Sequence, residues 1–223
     1  MFKNFHKIKY NKGVTLVELL VVIFIFVIIS GITIFDYGKF RSSLSIQNLA
    51  DDIALSVRKA QGYAIGVHST DSVFDVGYGV HFTVNPLPVG TYSGTNKAFI
   101  LFADMDVVQN KMYDYNTVCG APTTGSECLE VLNIASTDKI LGIKYYVGGY
   151  LVDKTLPATG TLDIVFKRPN PEPVFCYKSA VTNTSCDAME GISYIQIILA
   201  TSEIPVTTKT VTISNNGQIS VSN

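Results

Sequence analysis

From Leu19 to Ile29 the chain reads LLVVIFIFVII, an unbroken apolar run. Widening the window to 14–35 admits only Thr15, Glu18, Ser30, Gly31 and Thr33 as interruptions. As a helix that window spans roughly 33 Å, enough to cross a bilayer core. Past Phe35 the pattern changes. Ile46, Leu49, Ala50, Ile53, Ala54, Val57, Ala60 and Ala64 recur at three- and four-residue steps, while Asp51, Asp52, Arg58 and Lys59 fall on other faces. This is the signature of an amphipathic helix with one apolar face, read as domain core rather than a partner groove. No proline occurs before Pro86, so one helix is expected from about Thr15 to Ile65. It would be ~75 Å long, with Ser30-Gly31 or Gly38 as the places for a bend.

Beyond Gly66 the helical period gives way to strands and turns. Strands are expected at 73–84, 97–103, 129–134, 140–147, 161–166, 174–177, 194–200, 207–214 and 218–221, from β-branched and aromatic runs bounded by breakers. The breakers are 85–96 with two prolines and two glycines, 120–125, 157–160 and 168–173. Asn215-Asn216-Gly217 between the last two runs is a strong hairpin signal, because Asn and Gly tolerate positive φ. No second helix is expected. The fold class is therefore α+β: a long N-terminal helix, its first half transmembrane, packed on a mostly antiparallel β-rich domain. The boundaries expected are a basic leader over 1–13, a helix over 14–66 (14–35 apolar, 36–66 amphipathic), and a β-rich domain over 67–223.

Charge gives this plan a direction. The 223 residues carry a net charge of −1, but the distribution is uneven. Lys3, Lys7, Lys9 and Lys12 precede the apolar run with no acid among them. Cationic flanks stay in the cytoplasm, which places everything after Phe35 outside it. Without those four lysines 13 bases face 18 acids, a net of −5. An acidic exported part disfavours non-specific binding to nucleic-acid phosphates.

The four cysteines, Cys119, Cys128, Cys176 and Cys186, all lie in the exported part as two local pairs. Outside the cytoplasm they are expected as disulfides. Three connectivities exist, and short loop closure favours Cys119–Cys128 and Cys176–Cys186. A zinc site would show tighter spacing.

The stretch that carries chemistry is Lys12-Gly13-Val14-Thr15-Leu16-Val17-Glu18, running directly into the apolar helix. Gly13 has no side chain to obstruct a membrane-embedded protease, and the lysines hold the site at the cytoplasmic face. Glu18 is the anomaly. An ionisable group in a membrane helix costs at least ~2.5 kcal/mol and is a functional candidate by default. Its natural partner is a cation at the same depth, and cleavage after Gly13 would create one in the α-amino group of Val14. The competing explanations fit less well. In an ordinary secretory signal Glu18 would interrupt the apolar core, and Ile28-Ile29-Ser30-Gly31 is a poor substitute for an A-x-A-like site. A plain single-span anchor leaves Glu18 without a purpose.

These residues resemble the prepilin signature shared by type IV pilins and type II secretion pseudopilins. Gly13, Thr15, Leu16, Glu18, Leu19 and Leu20 match it position by position. The resemblance implies cleavage between Gly13 and Val14 by an aspartyl prepilin peptidase, N-methylation of Val14, and assembly guided by Glu18. It implies as partners other pilins or pseudopilins, the peptidase, an inner-membrane assembly platform, and membrane lipid before assembly. The chain departs from the pattern at Val14, where Phe is usual, and in lacking a helix-kinking proline. Past residue 66 the segments 49–65, 77–82 and 102–104, with Ile213 and 217–219, are similar to minor pseudopilins of the GspH/FimT type. Members of that group present a β-rich domain on the helix at or near a filament tip.

Other chemistry is sparse. His6, His68 and His81 share no ligand spacing. Gly90-Thr91-Tyr92-Ser93-Gly94 has its serine one place off a nucleophile elbow, and no phosphate-binding glycine loop occurs. Asp104, Asp106, Asn110 and Asp114 form a weak Ca²⁺ candidate that lacks the EF-hand glycine, so a solvated acidic turn is the simpler reading. Asn183-Thr184-Ser185 is a glycosylation sequon by pattern. No enzyme and no cofactor are expected. The alternatives to a filament subunit are an anchored binding module that never polymerises and a DNA-uptake pilin.

Overall fold

The computed structural model describes residues 13–66, 76–84, 95–105, 110–114, 119, 127–148, 150–155, 160–170, 172–178, 187–188, 191–202 and 206–223. The chain divides into two compact units, Met1–Arg41 and Ser42–Asn223. One helix, α1 (Leu16–Ile65), crosses the division. Eleven strands follow: β1 (Gly77–Thr83), β2 (Ala98–Asp104), β3 (Cys128–Asn133), β4 (Lys139–Val147), β5 (Tyr150–Thr155), β6 (Thr161–Phe166), β7 (Pro173–Lys178), β8 (Asp187–Ala188), β9 (Ile192–Ala200), β10 (Thr208–Ser214) and β11 (Ile219–Ser222). The class is α+β, and α1 is the only helix among the described residues.

In the first unit, α1 is apolar and exposed. Leu16, Val17, Leu19, Leu20 and the isoleucines, valines and phenylalanines through Ile34 are all solvent-facing. It is the one described helix long and apolar enough to cross a membrane. Leaving that much apolar surface in water would be strongly unfavourable at roughly 25 cal/mol per Å², so the segment needs lipid or another apolar partner.

In the second unit the strands form two antiparallel sheets. One runs β3-β2-β1-β6-β7-β8 and the other β11-β10-β9-β4-β5. The amphipathic stripe of α1 (Ile46, Leu49, Ala50, Ile53, Ala54, Val57, Ala60, Ala64) joins a buried cluster with side chains from both sheets. The first sheet contributes Tyr78, Val80, Phe82, Leu101, Leu162, Ile164 and Phe166, and the second Ile143, Ile195, Ile197, Leu199, Val211 and Ile213. Period-two alternation sets which residues point to that core.

β1, β2 and β6 are buried at every position, so the first sheet is covered on its other face as well. A second apolar cluster lies there, built from Ile100, Phe102, Tyr113, Cys128 and Val165. Phe102 packs over Gly79 so closely that a Cβ at residue 79 would lie 2.8 Å from its ring and 2.8 Å from the Ile164 carbonyl oxygen. Only glycine allows that approach. At the far end, β10 and β11 pair Ile213 with Ile219 around the Asn215-Asn216-Gly217 turn, where Gly217 takes φ 82°. The Gln218 amide donates to Asn216 Oδ1 at 3.0 Å and closes the hairpin.

Nine of the described strands fall on expected positions. β5 and β8 are additions to the expected set. The first expected strand is shorter than anticipated, β1 beginning at Gly77, and residues 73–75 of that span lie outside the described set.

Candidate processing and assembly site

The α1 start is set by a side chain. Thr15 precedes the first helical residue, and its Oγ1 accepts the Glu18 amide at 3.2 Å. Its carbonyl accepts the Leu19 amide at 3.1 Å, the first bond of the helical ladder. Thr15 is thus the N-cap and Glu18 the third residue of the first turn. Thr-x-x-Glu before an apolar run has capping-box spacing, a signal present in the sequence that the functional reading of Glu18 obscured. A carboxylate in the first turn also sits well against the positive end of the helix. Glu18 therefore has a local helical role in addition to any role between subunits.

Upstream of the cap, Gly13 and Val14 are outside the helix and open to solvent. Val14 is 70% exposed, and among the described residues nothing beyond the chain neighbours lies within 4 Å of where a Gly13 Cβ would be. Gly13, Val14 and Glu18 thus lie at one helix end.

The weak Ca²⁺ set is placed differently. Asp104 Oδ2 accepts the Lys111 amide at 2.9 Å, with Lys111 at φ 63°. Asn110 donates from Nδ2 to Asp114 Oδ2 at 2.8 Å, and its Oδ1 accepts the Met112 amide at 2.9 Å. These oxygens organise their own turn, and Asp106 lies outside the described residues. Among the described residues no group of three His, Cys, Asp or Glu is placed to hold a metal.

The same turn is stapled from below. Cys119 and Cys128 form a disulfide with Cα atoms 4.8 Å apart. Cys176 on β7 is also disulfide-bonded; Cys186, its expected partner, lies outside the described residues. Tyr113 lies between this staple and the sheet. Its ring centroid is 5.1 Å from that of His81 and 5.5 Å from that of Phe102, and its carbonyl accepts from Lys178 Nζ at 3.3 Å.

Beneath Tyr113 is a polar feature that sequence spacing did not reveal. His81 Nδ1 on β1 lies 2.6 Å from Asp163 Oδ1 on β6, both side chains fully buried. The strand register sets these residues directly opposite one another. The pair lies within the packing of the covered face, under the Tyr113 ring.

Two lysines act at the domain surface. Lys59 on α1 meets Glu130 on β3 at 2.7 Å, and hydrogen bonding to that carboxylate raises the ammonium above its ordinary range. Lys97 Nζ donates to the carbonyls of Ser136, Thr137 and Asp138 at 3.1, 2.7 and 2.5 Å. Burial lowers the pKa of Lys97. Asp138 in turn accepts from Ser45 Oγ on α1 at 2.5 Å, tying the 136–138 turn to the helix.

Residues 8–34 match the family model described as the prokaryotic N-terminal methylation motif. The match covers Gly13, Val14, Thr15, Glu18 and the apolar run, and the chain is consistent with a type IV pilin-like or pseudopilin protein. No curated protein and no solved structure matches the chain.

Proposed function

We propose that this chain is a structural, non-catalytic subunit of a type IV pilus or type II secretion-like filament. The observation that carries the reading is the methylation-motif match over 8–34 on a helix whose apolar half is exposed and whose first turn holds Glu18. The precursor inserts with its basic leader in the cytoplasm and its β domain outside. Prepilin peptidase cuts between Gly13 and Val14 and methylates the new amine. The helix then waits in lipid until an inner-membrane assembly platform moves it into a bundle of like helices. There Glu18 pairs with the Val14 amine of a neighbouring pilin, and a buried charge left unpaired blocks docking. Two antiparallel sheets over the amphipathic half of α1, closed by the β10–β11 hairpin, support the narrower reading of a minor subunit of the GspH/FimT type.

Intact-mass measurement of the membrane-extracted protein tests this directly. The expected species lacks residues 1–13 and carries one added methyl on Val14. An N-terminus at Met1, or one near Gly31, would rule out the filament-subunit reading.

A further inference from the structure

Resting on the processing reading above, we propose that Thr15 is a helix stop that keeps the Gly13–Val14 peptide bond in an open, non-helical stretch where the peptidase can engage it. The Thr15 hydroxyl accepts the Glu18 amide at 3.2 Å and fixes the first helical residue as Leu16. The scissile bond therefore lies just outside the helix rather than in its first turn, flanked by an exposed Val14 and by a Gly13 that no described residue beyond its chain neighbours crowds. Hydrolysis needs that placement. Water must reach the Gly13 carbonyl carbon, the C–N bond must break, and a proton must pass to the Val14 nitrogen as the Gly13 carboxylate leaves. In a helix the same carbonyl would be tied to the amide four residues on and ringed by side chains.

The sequence makes this stop necessary. Leu16 onward strongly favours helix in an apolar medium, and little but a cap prevents the helix from growing backwards. The next side chain upstream that can accept a capping hydrogen bond is that of Asn11. A helix starting there would take Gly13 and Val14 into its first turn. Thr15 is then a positioning residue for the cleavage: it touches neither the water nor the scissile bond, and acts by deciding where the helix begins.

The test uses the purified full-length precursor in detergent micelles, prepilin peptidase, and a time course read by intact mass. Three chains are compared: wild type, Thr15→Ala and Thr15→Ser. Hydrogen exchange at the Val14 amide is followed in the same micelles without peptidase. Loss of a cap shifts a helix boundary by about five-fold in population, so Thr15→Ala is expected to be cut about five-fold more slowly, with slower exchange at Val14. Thr15→Ser keeps a capping hydroxyl and is expected to behave as wild type. Thr15→Ala cut at the wild-type rate overturns the proposal. So does slow cleavage of Thr15→Ala without any change in exchange, which would mean that the peptidase reads the residue itself. Failure of the wild type to be cut after Gly13 removes the processing reading instead, and the proposal with it.

Discussion

His81 Nδ1 and Asp163 Oδ1 lie 2.6 Å apart with both side chains at zero exposure. Asp163 Oδ2 has no hydrogen-bond partner among the described residues. The pair sits on the covered face of the first sheet, beside Thr83 and Thr161, which are also buried. Removing one member of such a pair takes a hydrogen bond from the other where water cannot replace it. Asp163→Val is expected to destabilise the chain by about 1–3 kcal/mol. The double variant Asp163→Val with His81→Leu should recover most of that loss, because neither member of the pair is then left without the other. Denaturant unfolding followed by tyrosine fluorescence measures both. A double variant as unstable as the single one would show that the pair itself holds the face together.

Gly79 and Gly62 make a paired test of what a methyl group does in two environments. At Gly79 a Cβ would meet the Phe102 ring and the Ile164 carbonyl oxygen at 2.8 Å. Gly79→Ala is therefore expected to lower stability by about 1–3 kcal/mol through overpacking. At Gly62, inside α1, nothing among the described residues beyond its own turn of helix lies within 4 Å of the new methyl. Gly62→Ala is expected to raise stability by up to ~1 kcal/mol, the helix-propensity difference. Equal effects from the two substitutions would contradict this account of the covered face.

The Cys119–Cys128 disulfide closes a short loop, and Tyr113, which packs on His81 and Phe102, has its hydroxyl 3.9 Å from Cys119 Sγ. Cys119→Ser with Cys128→Ser together are expected to cost on the order of 2–3 kcal/mol, the chain-entropy value for a loop of that size. Thermal unfolding with and without reductant checks it. The double-serine variant should lose its share of the reductant response, leaving only the part due to Cys176.

How much of this was legible in the chain depends on the range of the interactions involved. The helix was legible almost to the residue, because the apolar run and the stripe from Ile46 to Ala64 are local patterns and nothing between them breaks a helix. The hairpin at Asn215-Asn216-Gly217 was equally local. β5 was not, because Tyr150–Thr155 is a short edge strand with Asp153 and Lys154 together near its end. β8 has two residues, too few for any period. The two-sheet arrangement depends on long-range pairing, such as β1 with β6, that no window reports. The covered face was not legible, for a physical reason. His81 and Thr83, like Thr161 and Asp163, alternate with apolar residues as solvent-facing positions do. Loop packing by Tyr113 and the disulfide then buries what alternation assigns to water. At the candidate site Glu18 stood out because of its charge, and Thr15 did not, although the spacing between them already had the form of a cap.

Glu18 now has two roles to separate, one within its own helix and one between subunits. Within the helix it is the third residue after the Thr15 cap, and a carboxylate there contributes about 0.3–1 kcal/mol through the helix dipole. That is small against the packing of the whole helix in lipid, so Glu18→Leu should leave insertion and the β domain intact. The Leu variant should even enter the membrane more readily, since a carboxylate there costs at least ~2.5 kcal/mol. Between subunits the same change removes the acceptor for a neighbouring Val14 amine, and a buried amine without a partner costs far more than the cap contributes. Glu18→Gln sharpens the distinction by keeping size and hydrogen bonding while losing the charge. The expected outcome is normal cleavage after Gly13 for all three chains, with filament incorporation falling at least ten-fold for Leu and strongly for Gln. Sheared-filament recovery at matched membrane levels measures incorporation. If the Leu variant enters filaments as well as wild type, Glu18 serves only its own helix, and pairing with Val14 does not guide assembly.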